Sequence, residues 1–163
     1  MRTPLIAATA VLALAACAKA PAPTADAAAQ GKAFLASNAH VSGVITTASG
    51  LEYRVLRSGP TSGLEPKPAD EVKVDYEGKL LDGQVFDSSY ARGQPAVLTV
   101  RDLVPGWQEA LQHMRPGDEW LIYVPPKLGY GDKGVGPIPA NSVLVFKLDL
   151  IGVLPDQSSV ANG

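Results

Sequence analysis

Apolar and polar residues alternate most regularly near the middle of the chain, at residues 72–77. Val72, Val74 and Tyr76 are separated by single charged residues. This period of two is typical of a β-strand that buries one face and exposes the other. The pattern predicts a strand with Tyr76 on its buried face.

A β-hairpin is predicted to follow this strand. Gly78 permits a bend, and Asp82-Gly83 separates two apolar pairs. An Asp-Gly pair in that position favours a type I′ turn, in which both central residues have positive φ. The second arm ends at Phe86-Asp87, which places a ring and a carboxylate together at a strand end. Because the tyrosine of the preceding strand lies close by, we interpret this region as an aromatic-walled hollow with one acid at its rim.

Four more strands are predicted from short apolar or alternating runs. They span residues 51–56, 96–100, 119–124 and 142–153. In the first of them the pattern predicts that Leu51, Tyr53 and Val55 share one face. The segments between the strands are rich in glycine, proline and small polar residues, and residues 88–95 are expected to form a loop.

One helix is predicted within this set of strands. Trp107, Ala110, Leu111 and Met114 are spaced i, i+3, i+4 and i+7, which forms a single apolar stripe. A proline fits its first turn, and residues 115–117 are expected to end it. A single helix is covered most economically by a sheet that curls across it. The predicted fold class is therefore α+β, with a five- to six-stranded antiparallel half-barrel sheet wrapped around one short helix.

The first 46 residues have a different composition. Residues 1–16 carry one arginine and then a short apolar run, as in a signal peptide. The following Cys17, the single cysteine of the chain, completes a Leu-Ala-Ala-Cys sequence that resembles the lipobox of bacterial lipoproteins. That resemblance implies lipid on Cys17, and Ala18 after it implies the outer membrane. An ordinary signal peptide with Ala-x-Ala cleavage is the alternative.

Residues 17–46 are expected to form a lipid-anchored tether with a short helical stub. Prolines near its start oppose helix, whereas residues 25–39 favour it, with Ala33, Phe34 and Ala36 as an apolar edge. So short a helix must dock on the domain, pair with a partner chain or fray. Residues 155–163 are expected to form a polar tail.

Charge and residue types exclude several functions. The net charge is −2, with no basic run, which argues against binding to nucleic acid. His40 and His113 have no cysteine or acid at metal-ligand spacing, so we expect both at the surface and no metal site. The glycines of residues 129–136 lack the strand and helix context of a phosphate-binding loop. No cofactor is expected.

Several motifs in sequence order resemble the FKBP-type peptidyl-prolyl cis-trans isomerases, most of all the bacterial branch called macrophage infectivity potentiator or FkpA-like. They are VKVDYEGKLLDGQVFDSSYAR (72–92), VPGW (104–107), LGYG (128–131) and IPANSVLVF (138–146). The resemblance covers residues 47–154, which we expect to form the isomerase domain. It implies the same half-barrel, with the substrate proline ring over the tryptophan at the helix start.

The resemblance also implies a set of site residues. The expected catalytic group is Phe86, Asp87, Trp107 and Tyr130. The expected substrate-binding group is Tyr76, Arg92, Leu103, Val104, Ile138 and Phe146. Arg92 matches an arginine that pairs with the pocket aspartate in the family.

The implied function is isomerisation of X-Pro bonds during folding of periplasmic or envelope proteins. X-Pro segments of unfolded proteins are the expected partners, with macrolide FKBP inhibitors as further ligands. Contact with the membrane is expected only through lipid on Cys17, with the domain facing the periplasm or exposed at the surface. The short stub replaces the long dimerisation helix of larger relatives, which favours a monomer. The alternative function is a chaperone-like lipoprotein that holds unfolded chains without turnover.

Overall fold

A curved antiparallel sheet forms most of the domain in the computed structural model, which describes residues 25–156. The strands in this range are β1 (Ile45–Thr46), β2 (Glu52–Arg57), β3 (Glu71–Lys79), β4 (Val85–Ser88), β5 (Ala96–Thr99), β6 (Glu119–Val124) and β7 (Leu144–Leu154). The helices are α1 (Ala25–Asn38), α2 (Ser89–Arg92) and α3 (Pro105–Leu111), with 3-10 turns at Val100–Asp102 and Pro126–Leu128. The predicted signal peptide, Cys17 and the end of the predicted tail lie outside the described residues.

The strand order is β1-β2-β6-β7-β3-β4, and β5 also pairs with β3. All of these pairs are antiparallel, and the β3–β7 pair is the longest. The predicted α+β fold is confirmed, and the sheet of the described residues has seven strands where five to six were predicted. Strand β1 was not predicted, because an element of two residues is too short to show a period in the sequence.

Helix α3 packs against the concave face of the sheet. Its predicted stripe is buried, with Trp107 4% exposed and Ala110 and Leu111 fully covered. The helix ends at Leu111 rather than near residue 115. Met114 still reaches the core from the turn that follows, where its N–H donates to the Leu111 carbonyl at 3.1 Å.

Helix α1 docks on the opposite, convex face of the sheet. The ring of Phe34 lies 5.6 Å from that of Tyr123, and Asn38 donates a buried hydrogen bond of 2.7 Å to Glu52. Docking is therefore the outcome among the three alternatives for the stub. The contacting face runs through positions 31, 34 and 38, so the expected edge that included Ala33 and Ala36 is wrong: both of these alanines are exposed.

The same docking changes which residues of β2 are buried. Glu52 is only 3% exposed because the amide of Asn38 covers its carboxylate, whereas Val55 is 39% exposed. Val55 shares a face with Tyr53, as the alternation predicted, but lies near the exposed end of the strand. Tyr53 remains half-buried and stacks on Trp120 at 4.3 Å between ring centroids.

The turn between β3 and β4 is not type I′. Gly83 has φ of 90°, but Asp82 is not among the residues with positive φ. The Leu80 N–H bonds the Gln84 carbonyl at 2.9 Å, which leaves three loop residues. This is the pattern of a type I turn followed by a left-handed residue. Asp82 stabilises it by accepting the Gln84 N–H at 2.9 Å.

Within residues 25–156, no helix is both long enough and apolar enough to cross a bilayer.

Candidate active site

An open cavity of about 440 Å³ lies between the concave face of the sheet, α3 and two surface loops. Its lining is mostly aromatic and aliphatic: Tyr76, Phe86, Asp87, Leu98, Asp102, Leu103, Val104, Trp107, Tyr130, Val135, Pro137, Ile138 and Phe146. Every predicted catalytic or substrate-binding residue lines this cavity except Arg92, which contacts two of the lining side chains. The structure thus brings together residues from five separate parts of the chain.

Four rings form the floor and one wall of the cavity. The Trp107 ring lies 5.0 Å from Tyr76 and 5.2 Å from Phe146, and both pairs are nearly perpendicular. Phe86 meets Phe146 at 5.5 Å in the same edge-to-face geometry. Such contacts add to the stability gained from area burial and fix the ring positions. The result is a rigid apolar bowl of a size that suits a proline side chain and its neighbours.

Gly78 makes this packing possible. It lies within β3, where the pairing with β4 shifts register between Gly78 and Lys79, as the bend expected there requires. A Cβ atom at Gly78 would lie 2.6 Å from Cε1 of Phe146 and 2.7 Å from Cε2 of Phe86. The absence of a side chain therefore lets the two phenylalanine rings approach the strand.

The carboxylate at the rim belongs to Asp87 and is held by two donors. The Tyr76 hydroxyl donates to its Oδ2 at 2.5 Å, and the Arg92 guanidinium bonds its Oδ1. Arg92 also donates to the Tyr76 hydroxyl at 2.9 Å, which closes a three-residue ring of hydrogen bonds. The expected pairing of Arg92 with Asp87 is confirmed.

This network sets the charge of the rim. Desolvation, the largest single influence, raises the pKa of Asp87, but the hydrogen bonds from Tyr76 and Arg92 outweigh it and leave that pKa below its ordinary value. Desolvation, followed by the bond to Asp87, raises the pKa of Tyr76. Bonds to Tyr76 and then Asp87 raise the pKa of Arg92. At neutral pH the site therefore holds an ionised aspartate, a neutral tyrosine and a charged arginine.

A short helix carries Arg92 to this position. Residues 88–95 were expected to be a loop, but α2 forms there because Ser88 caps it, accepting the Ala91 N–H at 3.2 Å. The helix ends at Gly93, whose φ of 73° suits glycine. A four-residue helix has no detectable period, so the pattern of apolar residues could not predict it.

Buried Ser89 fastens α2 to β3. Its hydroxyl donates to Asp75 at 2.7 Å and accepts the Tyr76 N–H at 2.8 Å. The helix that bears Arg92 is thus fixed to the strand that bears Tyr76.

Two hydrogen-bonding groups at the rim are available to a ligand. Among residues 25–156, no protein group accepts the Val104 N–H. The Tyr130 side chain is 38% exposed at the cavity edge. Both belong to residues that line the cavity, so they are suited to bind carbonyl groups of an extended peptide.

The wall of the cavity formed by Leu103 and Val104 depends on Gln108. Its amide donates to the carbonyls of Leu103 at 2.7 Å and Arg101 at 3.0 Å, which holds the loop before α3. Gln108→Glu replaces this donor with an acceptor of the same shape, so we expect the loop to loosen and KM for a proline peptide to rise about threefold to tenfold, with kcat less affected.

The matched control is Gln112→Glu. Gln112 lies one helical turn further on and donates to the Gln108 carbonyl at 2.8 Å without touching the wall loop. Equal KM values for the two variants would contradict a positioning role for Gln108.

Sequence reasoning missed four lining residues: Leu98, Asp102, Val135 and Pro137. The strand containing Leu98 was predicted, but four residues do not show which face is buried. Val135 and Ile138 bond each other across a tight turn, N–H to carbonyl at 3.1 and 2.9 Å. That turn lies in a Gly/Pro-rich segment without period, so its inward residues gave no signal.

Within the described part of the chain, no group of three or more histidine, cysteine or acidic side chains is arranged to hold a metal ion. His40 and His113 are exposed, as expected.

Comparison with known proteins agrees with this geometry. The family described as FKBP-type peptidyl-prolyl cis-trans isomerase matches residues 63–151, and the domain amino terminal to it matches residues 6–55. The peptidyl-prolyl cis-trans isomerase Mip of Coxiella burnetii is 51% identical over 125 residues, which are 76% of this chain and 54% of that protein. The outer membrane protein MIP of Legionella longbeachae is 44% identical over 126 residues, 77% of this chain and 53% of that protein.

Among solved structures, FkpA from Escherichia coli superposes with a TM-score of 0.77 at 42% identity, over 80% of this chain and 61% of that one. The chain spans about half the length of the curated relatives it matches. Family, fold and cavity agree, and the chain belongs to the FKBP-type peptidyl-prolyl cis-trans isomerases, in the branch that contains Mip and FkpA.

Proposed function

We propose that this protein catalyses cis-trans isomerisation of X-Pro bonds in unfolded or partly folded proteins of the cell envelope. The observation that carries the proposal is the aromatic cavity over Trp107 with the Asp87–Tyr76–Arg92 network at its rim. Family membership supports the same chemistry.

The reaction needs no broken σ bond, nucleophile or cofactor. Amide resonance sets the barrier at about 18–20 kcal/mol, and catalysis requires a surface that binds the twisted amide better than the planar one. The planar amide is the more dipolar form, so an apolar cavity that removes water from its carbonyl costs it more than it costs the twisted form. Lowering the barrier by about 5 kcal/mol gives an acceleration of a few thousand-fold.

Each part of the cavity has a separate task in this proposal. The floor formed by Trp107 and Phe146 binds the pyrrolidine ring. Asp87 orients and polarises the twisted amide, with no proton transfer. The Val104 N–H and the Tyr130 hydroxyl bind carbonyls on the peptide and limit its rotation.

Exchange spectroscopy by NMR tests turnover directly. With protein at about one hundredth of the peptide concentration, we expect exchange between cis and trans signals of an Ala-Leu-Pro-Phe peptide far faster than the uncatalysed 10–100 s. A macrolide FKBP inhibitor is expected to abolish it. Exchange at the spontaneous rate, with the peptide still bound, would instead support the alternative of a holding protein.

The lowered pKa of Asp87 predicts the pH dependence. Ionised Asp87 stabilises the folded state above the pKa of the unfolded chain, and this contribution is lost as pH falls through the lower folded pKa. We therefore expect kcat/KM to vary little with Asp87 ionisation between about pH 5 and 8 and to fall only below the ordinary aspartate pKa of 3.8. Arg92→Leu removes one of the two donors, so the fall should move to higher pH. Identical acid limbs for both proteins would show that Arg92 does not set this ionisation.

For the location we propose an envelope protein held by lipid on Cys17 at the outer membrane, with the domain in the periplasm. The Legionella relative is named an outer membrane protein, which supports an envelope location. We expect Cys17→Ser to move the protein from the membrane fraction to the soluble periplasmic fraction of an expressing bacterium. Unchanged fractionation would contradict lipid anchoring.

We also propose that the protein is a monomer, because α1 packs against Tyr123 and Glu52 of its own domain. Sedimentation equilibrium at micromolar concentration measures this, and a dimer mass would contradict it.

A further inference from the structure

Asp102 gives the cavity an uncompensated negative charge. The lining contains two carboxylates, Asp87 and Asp102, and no lysine or arginine. Asp87 is paired with Arg92. None of the ion pairs among residues 25–156 involves Asp102. The charge of Asp87 is therefore balanced by Arg92, whereas Asp102 lines the cavity without a balancing cation in its lining.

The backbone around Asp102 is fixed. It ends the 3-10 turn Val100–Asp102, whose first residue is fully buried. The Gln108 amide bonds the carbonyls on both sides of Asp102, at Arg101 and Leu103. The Asp102 side chain is thus held at the exposed edge of the wall, between water and the cavity.

The adjacent cation does not face the same way. Arg101 lines a separate groove with Glu71 and Thr99, on the other side of the turn. The charge that an incoming peptide meets at this wall is therefore that of Asp102.

We infer that Asp102 is a specificity-determining residue that favours X-Pro segments with a lysine or arginine within two residues of the proline. This inference rests on the proposed function, because it concerns which peptides the same cavity accepts. The Leu103 and Val104 wall orders the peptide backbone beside Asp102, so a long cationic side chain reaches the carboxylate without leaving solvent. An acidic side chain at that position is repelled.

The test compares three peptides that differ only beside a Leu-Pro pair and carry lysine, glutamine or glutamate, on either side in turn. We expect kcat/KM for the best lysine peptide to exceed that for its glutamate counterpart about twofold to fivefold, the range for an exposed charge pair. The ratio should be largest at about 0.01 M salt, where the Debye length is about 30 Å, and should shrink at 1 M.

Three variants assign the effect. Asp102→Asn should bring the lysine-to-glutamate ratio close to one, and Asp102→Lys should invert it. Asp82→Asn removes the same charge in the β3–β4 turn, outside the cavity, and keeps an oxygen for the Gln84 N–H, so its ratio should equal that of the wild type. Because each variant is read as a ratio, a change in its overall rate cancels.

A wild-type ratio near one at low salt, or an unchanged ratio in Asp102→Asn, overturns the inference, and turnover of the glutamine peptide leaves the proposed function standing. If no peptide is turned over, the proposed function fails. Titration calorimetry with the same peptides then decides the charge preference from the ratio of Kd values, by the same criteria.

Discussion

Asp87→Leu is expected to lower kcat/KM for a proline peptide by about 10- to 100-fold. Removing one preorganised electrostatic group from an enclosed active site lowers kcat by about 100- to 1,000-fold. The smaller figure applies here because the Asp87 side chain is 44% exposed and partly screened by water. The loss should lie mainly in kcat, since the apolar floor that binds the proline ring is unchanged.

The fold should survive this change. Tyr76 and Arg92 keep their mutual hydrogen bond of 2.9 Å when the carboxylate is removed. Thermal melting by circular dichroism checks that point. Tyr76→Phe is the matched variant, because it removes one donor to Asp87 but keeps the carboxylate and its arginine, and it should lose less activity. An unchanged kcat/KM in Asp87→Leu would remove the rim carboxylate from the mechanism.

Gly78→Ala is expected to affect both stability and activity. The added methyl group would lie 2.6 Å from Cε1 of Phe146 and 2.7 Å from Cε2 of Phe86. Inserting a carbon into a filled core costs about 1–3 kcal/mol. The two rings must move to admit it, so we expect a melting temperature lower by several degrees and a clear fall in kcat/KM.

Gly152→Ala is the control for that substitution. Gly152 also lies in a strand of the same sheet, β7, and a Cβ there meets nothing within 4 Å. Its melting temperature and activity should stay near those of the wild type. Equal effects of the two substitutions would mean that replacing any glycine in a strand explains the loss at Gly78, and that the contact with the two rings does not.

Much of the fold was predictable because its signals are local. The alternation at Val72, Val74 and Tyr76 predicted β3, and the helical spacing from Trp107 predicted which face of α3 is buried. Those elements are long enough for a repeating pattern of apolar residues to be recognised even where single positions depart from it. The concave cavity followed from placing their apolar faces together.

The rest depends on contacts between distant segments. The burial of Glu52 arises because α1 folds back onto the convex face, where Asn38 bonds its carboxylate. The packing of two phenylalanine rings on Gly78 was not predicted, because the sequence does not reveal which rings will lie against it. Asp82 signalled a hairpin correctly, but a three-residue loop and a two-residue loop share the same Asp-Gly signal.

The site itself was predicted through family resemblance more than through periodicity. Trp107, Phe86 and Phe146 alone would have been read as ordinary core residues. Asp102 was missed because an exposed acid before a helix has no pattern that links it to a cavity. Its position became visible only when the loop was folded against Trp107.

The most direct test of the central claim follows cis-to-trans relaxation of a Leu-Pro peptide after a solvent jump, with wild-type protein and Asp87→Leu side by side. We expect relaxation much faster than the spontaneous 10–100 s with wild-type protein, and a rate enhancement reduced by at least about tenfold in the variant. Relaxation at the spontaneous rate with folded wild-type protein would contradict it, and the cavity would then be a binding site without turnover.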